Sequence, residues 1–565
     1  MADWTKRAGS IFRCEKGSVS GTIGVAVTNH PLASAAAMEM LAAGGNAFDA
    51  TVSSLFTLTV VEPMMVGILG GGAAVVHHAD GAIDVFDGLA TAPAQTRSDS
   101  YTPISDSWPD YMETKGRQNR VGPKAIAVPG NLKAWCEMAS NFGRLPLTQL
   151  IGPAIRYADE GFILSPYLAT CIEEIAPDLA LDSAISAIFL PNGVPLKAGE
   201  RLVQKDYART LRAIAAGGPD ALFQGELAEH MRQFLSASGT WVTERDIEQY
   251  KVVRREAVHG TYRGFDIFGP PPPCSGGVQT VQVLNLLESN DVSEGGFGTS
   301  ETLHRLIEAM KIAAADRLAV TADPAFVDVP LERLTSKEYA RERADDFDPD
   351  HARVQKAKIL TIESANTTHV TIADGEGNVV TSTQTINSLF GARVVIPGTG
   401  IIPNNYMYLF DPHPGEALSL APGKRITSGI TALIGKKDGK LEFALGLPGA
   451  HRIPASAMQA VINLIDHGMS LQEAVEAPRV FTWGQEVEVE NGFSNEVREG
   501  LSARGHRVLP VAHVAGGMGA IQFLSNGTMI GASCWRADGV PMAAGGGPAR
   551  ANTSFWPDPR RGKVY

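Results

Sequence analysis

Residues that commonly perform catalysis occur in this chain without the spacings of the familiar metal and serine centres. The sequence has no HExxH motif, no clustered Cys/His pair and no calcium-binding loop. His77 and His78 are adjacent in a predicted strand, so their side chains point to opposite faces and cannot bind one ion together. Ser275 lacks the glycine two residues earlier that a GxSxG nucleophile elbow requires. The sequence therefore predicts neither a metal cofactor nor that type of serine hydrolase.

One segment remains as a candidate for nucleophilic chemistry. Asn366-Thr367-Thr368-His369 follows a polar, irregular stretch and comes directly before a predicted strand. From residue types alone, two threonines at the start of a strand are ordinary β-branched strand formers. Periodicity and spacing therefore leave this segment undecided between structure and catalysis.

The elements that must position this segment are β-hairpins and separate long helices. Strand-like runs flank turns at four places: Asp80-Gly81, Asp374-Gly375-Glu376-Gly377, Asp438-Gly439 and Asn526-Gly527. Helical periodicity is clear over five ranges: 31–43, 147–158, 206–216, 301–320 and 455–466. Antiparallel hairpins combined with helices in separate runs predict an α+β layered fold rather than alternating βαβ units.

Composition and charge narrow the class of protein. The chain has 565 residues, of which 44% are hydrophobic and 19% charged, as expected of a globular protein with a large core. Lys+Arg 49 against Asp+Glu 61 gives a net charge of −12, opposite in sign to a nucleic-acid or anionic-membrane binder. The cysteines lie far apart and form no CxxC pair, which disfavours a disulfide framework: Cys14, Cys136, Cys171, Cys274 and Cys534.

Hydropathy along the chain predicts neither a signal peptide nor a membrane-spanning helix. The first residues lack the apolar stretch and cleavage site of a signal peptide. The apolar window 47–69 is interrupted by Asp49, Glu62, Pro63 and Gly67, so it cannot supply the ~20 uninterrupted apolar residues of a membrane span. We expect this window to be buried core and the protein to be cytoplasmic, without a membrane or nucleic-acid partner.

A series of motifs occurs in order along the chain: His30-Pro31-Leu32-Ala33-Ser34, Gly44-Gly45-Asn46-Ala47, Gly70-Gly71-Gly72, Val128-Pro129-Gly130, Tyr262-Arg263-Gly264, Pro271-Pro272-Pro273, Ser275-Gly276-Gly277, Ala315-Asp316-Arg317, Thr367-Thr368-His369, Pro448-Gly449 and Gly531-Ala532-Ser533. In these motifs the sequence resembles the γ-glutamyltransferase family of N-terminal nucleophile hydrolases over almost its whole length. The resemblance implies a four-layer αββα sandwich.

The resemblance also implies an inactive precursor that cuts itself between Asn366 and Thr367. Residues 1–366 would form a large subunit and residues 367–565 a small subunit, intertwined as one αβ heterodimer; further association is left open. Cleavage would give Thr367 a free α-amino group, with a pKa of about 7.7 to 8.0, which can act as the base for its own hydroxyl. Such a centre needs no cofactor.

Family roles carry over to individual positions. Thr385 matches a hydroxyl that hydrogen-bonds the nucleophile, although an ordinary strand threonine is the alternative. Asn387 lies two residues further, on the same strand face, and matches a pocket residue. Gly449 and Ala450 match the Gly-Gly pair whose backbone N–H groups hold the oxyanion, which alanine can do if its φ stays negative.

The departures from the family concern the substrate. Thr427 and Ser428 approximate a Ser-Ser pair that binds the substrate carboxylate, but the segment before them is one residue short. Leu89 replaces the arginine that clamps a γ-glutamyl α-carboxylate. Tyr406 and Leu409 replace the residues that bind the α-ammonium. Both ends of the zwitterion therefore lack their partners, and each lost charge-assisted hydrogen bond removes about 1.5 to 3 kcal/mol.

Three residues are candidates for a different pocket. Arg393 could supply a replacement cation, with a surface arginine as the alternative, and Gln384 and Tyr406 could add neutral hydrogen bonds. Such a pocket suits a small amide with one carboxylate, as in branches resembling oxamate amidohydrolases and glutaryl-type acylases; a branch that cleaves carbon–carbon bonds stays open.

Three functions follow. The favoured hypothesis is an autoprocessing amidohydrolase or acyltransferase with a non-glutamyl substrate. The alternatives are a γ-glutamyl hydrolase or transferase acting on glutathione-like substrates, and a catalytically silent binding protein on the same fold.

Overall fold

The computed structural model describes residues 4–288, 292–344, 346–354, 366–484 and 486–546. The strands are β1 (Val19–Gly21), β2 (Gly24–Thr28), β3 (Gly71–His77), β4 (Ile83–Asp87), β5 (Phe162–Ile163), β6 (Arg201–Leu202), β7 (Val253–Arg255), β8 (Val258–Tyr262), β9 (Phe265–Gly269), β10 (Thr368–Asp374), β11 (Val379–Thr385), β12 (Ala432–Lys437), β13 (Lys440–Gly446), β14 (Val480–Thr482), β15 (Glu486–Glu490), β16 (Arg507–Val511), β17 (Gly519–Phe523), β18 (Met529–Ser533) and β19 (Val540–Ala544).

The helices are α1 (Pro31–Ala42), α2 (Ala47–Val61), α3 (Asn131–Phe142), α4 (Leu147–Leu150), α5 (Gly152–Glu160), α6 (Pro166–Glu174), α7 (Ala176–Leu179), α8 (Ser183–Phe189), α9 (Lys205–Gly217), α10 (Gly225–Ala237), α11 (Glu244–Gln249), α12 (Gly276–Glu288), α13 (Val292–Gly295), α14 (Ser300–Val320), α15 (Leu331–Leu334), α16 (Lys337–Ala344), α17 (Ile453–Ile465), α18 (Leu471–Glu476) and α19 (Asn495–Ala503). Short 3-10 turns include Tyr406–Leu409 and Ala450–Arg452.

Two seven-stranded sheets form the centre of the molecule. Their strand orders are β1-β18-β17-β13-β12-β9-β8 and β19-β2-β10-β11-β3-β4-β7. An apolar cluster joins residues of both sheets, among them Val25, Ala373, Ala444 and Ile521. Helices α1 and α2 pack in a second cluster against the outer face of the β10-containing sheet, and α12, α14 and α17 pack in a third against the other sheet. The predicted α+β class and the αββα layering are confirmed.

Helix α2 shows why the apolar window is core. Every residue from Ala47 to Val61 is buried, because the helix lies under the sheet with neighbours on all sides. Asn46 and Asp49 form a reciprocal capping box, in which Asn46 Oδ1 accepts from the N–H of Asp49 at 3.1 Å and Asp49 Oδ2 accepts from the N–H of Asn46 at 2.9 Å. The aspartate that interrupts the window is thus satisfied at the helix start.

The predicted elements are confirmed with one local difference. All four hairpins form, as β3–β4, β10–β11, β12–β13 and β17–β18. The helix predicted over 147–158 is divided into α4 and α5 at Ile151, because Pro153 can occupy the first turn of a new helix but not the interior of a continuous one.

Each of the two large sheets contains strands from both sides of the Asn366–Thr367 bond. The second sheet places β10 between β2 and β11, so a strand from the first 366 residues lies directly beside the strand that Thr367 precedes. Division of the chain into subunits stays a prediction, and subunits with these bounds would share both sheets. Among the described residues, no helix has the length and apolar character to cross a bilayer.

Candidate active site

Thr367 lies immediately before β10 and is 5% exposed. On β10 the side chain of His369 faces the other sheet: its Nδ1 lies 2.9 Å from Thr383 Oγ1 of β11, and a Cβ on Gly446 of β13 would meet its ring. Because side chains alternate along a strand, Thr367 and Thr385 share the face of His369 and Thr383. The candidate nucleophile is therefore at the edge of the space between the two large sheets.

The Thr385 hydroxyl makes the most informative contact of the site. Its Oγ1 donates a hydrogen bond to the carbonyl oxygen of Asn366 at 2.8 Å. The same oxygen accepts a hydrogen bond from the backbone N–H of Asn387 at 2.8 Å. The hydroxyl is thereby oriented with its proton toward the Asn366–Thr367 peptide group. A donor at this position polarises that carbonyl and can stabilise negative charge developing on its oxygen.

Asn387 and Tyr406 are held next to Thr385. Asn387 has a positive φ of 78° and its Nδ2 donates to Asn405 Oδ1 at 3.1 Å. The hydroxyl of Tyr406 lies 2.8 Å from the carbonyl oxygen of Gly71 and 3.3 Å from that of Thr385. Both polar groups are buried, and these bonds fix them around the end of β11. The structure thus brings together three of the residues that the sequence singled out.

Gly449 and Ala450 lie shortly after β13, where the chain turns into the 3-10 segment that precedes α17. Gly449 has φ 140°, and a Cβ there would meet Ala515. Ala450 has φ 56°, so the condition of a negative φ, under which alanine would be readily tolerated, is not met: the sharp turn before the helix requires a left-handed residue. An alanine in this conformation is strained by about 1 kcal/mol or more, and such strain concentrates at functional sites.

Thr427 and Ser428 are both buried on the segment before β12. The carbonyl oxygen of Ser428 accepts a hydrogen bond from the N–H of Ser275 at 2.8 Å. The N–H of Ser428 donates to the carbonyl oxygen of Pro273 at 3.3 Å. The Ser275 side chain contacts Gln279 Oε1 at 3.1 Å. The backbone of Ser275 therefore holds the Thr427–Ser428 segment in place. This structural role is consistent with the absence of a nucleophile-elbow motif around Ser275.

Gln384 faces away from this group. In the β10–β11 register it pairs with Thr368, and it alternates with Thr385, so its side chain is on the helix-covered face of the sheet. Its Nε2 donates to Ser382 Oγ at 2.8 Å on that face. This position gives no support to the predicted substrate contact of Gln384.

Arg393 is buried rather than on the surface, and it forms an ion pair with Asp178 of α7. Arg117 also binds Asp178, at 2.7 Å. Burial, together with the neighbouring Arg120 and Arg117, lowers the pKa of Arg393 to about 10. Arg393 and Arg117 line a cavity of about 690 Å³ whose walls do not include Thr367, Thr385 or Asn387. A carboxylate-binding role for Arg393 stays a prediction, and its visible partner is Asp178.

The three residues that the resemblance places at zwitterion-binding positions pack in an apolar cluster. Leu89, Tyr406 and Leu409 are buried in the cluster between the sheets. A cation, Arg425, does reach Leu89, but its Nη1 donates to the Leu89 carbonyl at 2.8 Å and it also lies 3.4 Å from Asp87. Its charge is therefore already used in holding the loop after β4.

Sequence reasoning missed Glu62, which follows α2. Thr368 Oγ1 donates a hydrogen bond to Glu62 Oε2 at 2.6 Å, and Glu62 is 1% exposed. Burial raises the pKa of this carboxyl from its ordinary 4.5 to about 8. The signal was present, because Glu62 is one of the residues that interrupt the apolar window 47–69.

A second buried polar group joins α14 to the turn before β16, and its composition could suit a metal ion. Among the described residues, His304, Glu308 and His506 can direct ligand atoms toward one point. Lys311 occupies the place of a cation: its Nζ lies 2.7 Å from Glu308 Oε1 and 3.5 Å from His506 Nδ1. His304 Nδ1 and His506 Nε2 lie 2.7 Å apart. The Lys311 ammonium neutralises the Glu308 carboxylate, and the imidazole rings of His304 and His506 hydrogen-bond to each other.

The chain is similar to known proteins over most of its length. The family model for gamma-glutamyltranspeptidase matches residues 33–544. The acylase ACY 1 proenzyme of Pseudomonas sp. (strain SE83) is 54% identical over 96% of this chain and 98% of its own. The glutathione hydrolase proenzyme of Escherichia coli (strain K12) is 34% identical over 88% and 87%. The crystal structure of cephalosporin acylase from Bacillus halodurans matches with a TM-score of 0.84 at 30% identity, covering 94% of this chain and 98% of that one.

Proposed function

The chain belongs to the γ-glutamyltranspeptidase family of hydrolases, and from this premise we propose that it is an autoprocessing amidohydrolase or acyltransferase acting through Thr367 on a non-glutamyl amide. The observation that carries the proposal is the hydrogen bond from Thr385 Oγ1 to the carbonyl oxygen of Asn366. That bond orients a donor toward the oxygen that must accept negative charge when the chain is cut.

In the cleavage step, Thr367 Oγ1 attacks the carbonyl carbon of Asn366. The oxygen of that carbonyl becomes the oxyanion, stabilised by Thr385. The C–N bond breaks, the nitrogen of Thr367 takes a proton, and an ester links Asn366 to Thr367 Oγ1. Water then hydrolyses the ester, which releases the Asn366 carboxylate and leaves Thr367 with a free α-amino group. No metal or cofactor enters this sequence.

In the turnover step, the neutral α-amino group accepts the proton of Thr367 Oγ1 as this oxygen attacks the substrate amide. The backbone N–H groups of Gly449 and Ala450 are the candidate oxyanion donors, at the turn that leads into α17. The amine product leaves with the transferred proton, and water or a second amine takes the acyl group from Thr367. Hydrolase and transferase activity differ only in that acceptor.

The apolar packing at Leu89, Tyr406 and Leu409 supports the proposed substrate class. A γ-glutamyl group carries an ammonium and a carboxylate on one carbon, and burying either without a partner is costly. A relative named acylase is 54% identical to this chain, and a named glutathione hydrolase is 34% identical. Both observations favour an acyl group without the α-ammonium, in an amide that carries one carboxylate. This chemistry includes oxamate-like and acylase-like substrates.

The test has two stages on the full chain. Intact-mass analysis of the purified protein should show fragments of 366 and 199 residues, and Thr367→Ala should stay at full length. Glutaryl and γ-glutamyl p-nitroanilides should then be compared, because the two differ only in the α-amino group. We expect a higher kcat/KM for the glutaryl compound. Preference for the γ-glutamyl compound would favour the glutathione-like alternative, and absence of both cleavage and turnover would favour a silent binding protein.

A further inference from the structure

Glu62 contacts the residue that immediately follows the candidate nucleophile. Glu62 caps the C-terminal end of α2, beneath the sheet, and its carboxylate oxygen accepts the Thr368 hydroxyl at 2.6 Å. Thr368 is the first residue of β10. A buried carboxyl of the helix layer is thus joined to the first strand residue of the proposed small subunit, across 306 positions of sequence.

We infer that Glu62 is a positioning residue for the N-terminal threonine: it holds the start of β10 after cleavage and raises the proton affinity of the new α-amino group. This inference rests on the proposed cleavage before Thr367. It assigns Glu62 no contact with the substrate.

Cleavage removes one of the side-chain contacts that hold the start of β10. The β10–β11 ladder begins with the pair Thr368 and Gln384, so Thr367 lies one residue beyond it. In the uncut chain, Thr385 also holds this end through the Asn366 carbonyl, a contact with the residue that cleavage detaches from Thr367. Chain ends that are not tied down become disordered. The Thr368–Glu62 bond does not involve the cut peptide and stays available to fix the new terminus.

The electrostatic part follows from burial and proximity. Adjacent residues are about 3.8 Å apart between Cα atoms, so the nitrogen of Thr367 is within roughly 10 Å of the Glu62 carboxyl. Glu62 also interacts electrostatically with Asp538, in the loop after β18, and with Tyr167 and Cys171 of α6. Asp538 and burial both raise the pKa of Glu62, and a new ammonium would lower it.

The consequence is a defined direction for the pH profile. A carboxylate near the α-amino group favours the ammonium, which cannot act as a base, so the wild-type acidic limb of kcat/KM is displaced to higher pH. Glu62→Gln keeps an oxygen that can accept the Thr368 hydroxyl but carries no charge. Because a pKa of about 8 leaves Glu62 only partly ionised over this limb, we expect the acidic limb of Glu62→Gln to lie up to about 0.5 pH unit below that of the wild type.

The experiment compares processed wild type, Glu62→Gln and Thr368→Val with a monocarboxylate anilide. Glu62→Gln should move the limb with a change in kcat of less than about threefold. Thr368→Val should lower kcat about tenfold at similar KM, because the bond to Glu62 is lost. Thr371→Val, on the other face of β10, is the control and should leave the limb in place.

The outcomes are distinct. An acidic limb at the wild-type pH in Glu62→Gln, together with wild-type kcat in Thr368→Val, overturns the inference while the proposed function stands. A wild-type chain that never cleaves overturns the proposed function itself. If Glu62→Gln fails to fold, Thr368→Ser and Thr368→Val together decide the positioning part, because only serine retains a hydroxyl for Glu62.

Discussion

Replacing Thr385 with valine should nearly stop self-cleavage while leaving the fold intact. Valine has nearly the shape of threonine and the same preference for strands, so the backbone and the shape of the packed side chain at the end of β11 change little apart from the lost hydroxyl. What the substitution removes is the hydroxyl that donates to the Asn366 carbonyl oxygen at 2.8 Å and accepts from the Asn387 N–H at 2.8 Å. The first loss affects the reaction and the second affects stability.

The two magnitudes can be separated. A donor to a developing oxyanion in a buried site contributes about 2.7 to 4 kcal/mol to the barrier, or about 10² to 10³ in rate. Loss of the acceptor for a buried backbone N–H costs about 1 to 3 kcal/mol of folding free energy. We therefore expect cleavage to slow by about 10² to 10³ while the protein still unfolds cooperatively at a somewhat lower temperature.

The assay is a time course of intact mass on freshly purified precursor, with thermal unfolding measured on the same samples. Thr383→Val is the matched control: it is two residues earlier on the same face, and its hydroxyl contacts His369 instead of Asn366. Thr385→Ser should restore most of the rate because it restores the donor. Cleavage of Thr385→Val at the wild-type rate would refute the reasoning that this hydroxyl stabilises the oxyanion.

Three further results are expected. Lys311→Met should lower the free energy of unfolding by about 3 to 5 kcal/mol, measured by denaturant titration, since it leaves the carboxylate of Glu308 buried without its partner. The folded-state pKa of Glu62, about 8, exceeds its ordinary 4.5, so its contribution to stability is complete below pH 4.5 and is lost as the pH rises through 8. Wild type should therefore lose stability relative to Glu62→Gln between pH 5 and 9, by on the order of a few kcal/mol, and parallel curves would contradict the raised pKa. Arg393→Ala should reduce kcat/KM for monocarboxylate anilides by less than about tenfold, because its visible partner is Asp178, and a larger fall would support the carboxylate role.

Some features of the site could be predicted from the sequence because short stretches of chain encode them. Turn residues such as Asp374 and Gly377 specify the hairpin that carries Thr367 and Thr385, and strand alternation places Thr383 and Thr385 on one face. Asn387 lies beyond the end of β11 with a φ of 78°, so the strand face predicted for it does not extend to this residue. The same alternation rule, applied with the observed register, turns Gln384 to the opposite face. This orientation could have been predicted from the sequence, because Gln384 and Thr385 are neighbours, and the substrate contact of Gln384 stays a prediction.

Other features depend on contacts between distant segments. The partnership of Arg393 with Asp178 requires α7 to lie beside the segment after β11, and the left-handed φ of Ala450 arises where a turn from one sheet must enter α17. The sequence pattern of these segments predicts neither the ion-pair partner of Arg393 nor the φ of Ala450, because both are set by the surrounding packing.

The sequence by itself determined the layered α+β class, the hairpins, the family motifs and the threonine that precedes β10, because local turn chemistry, hydrophobic period and residue type are written in consecutive positions. Only the tertiary structure decided that a hydroxyl of β11 reaches the Asn366 carbonyl, that Leu89, Tyr406 and Leu409 are buried in the cluster between the sheets, and that Glu62 lies beneath Thr368. The physical reason is that hydrogen bonds and desolvation depend on distances of a few ångströms between residues as much as 306 positions apart, and such distances exist only once the layers have packed.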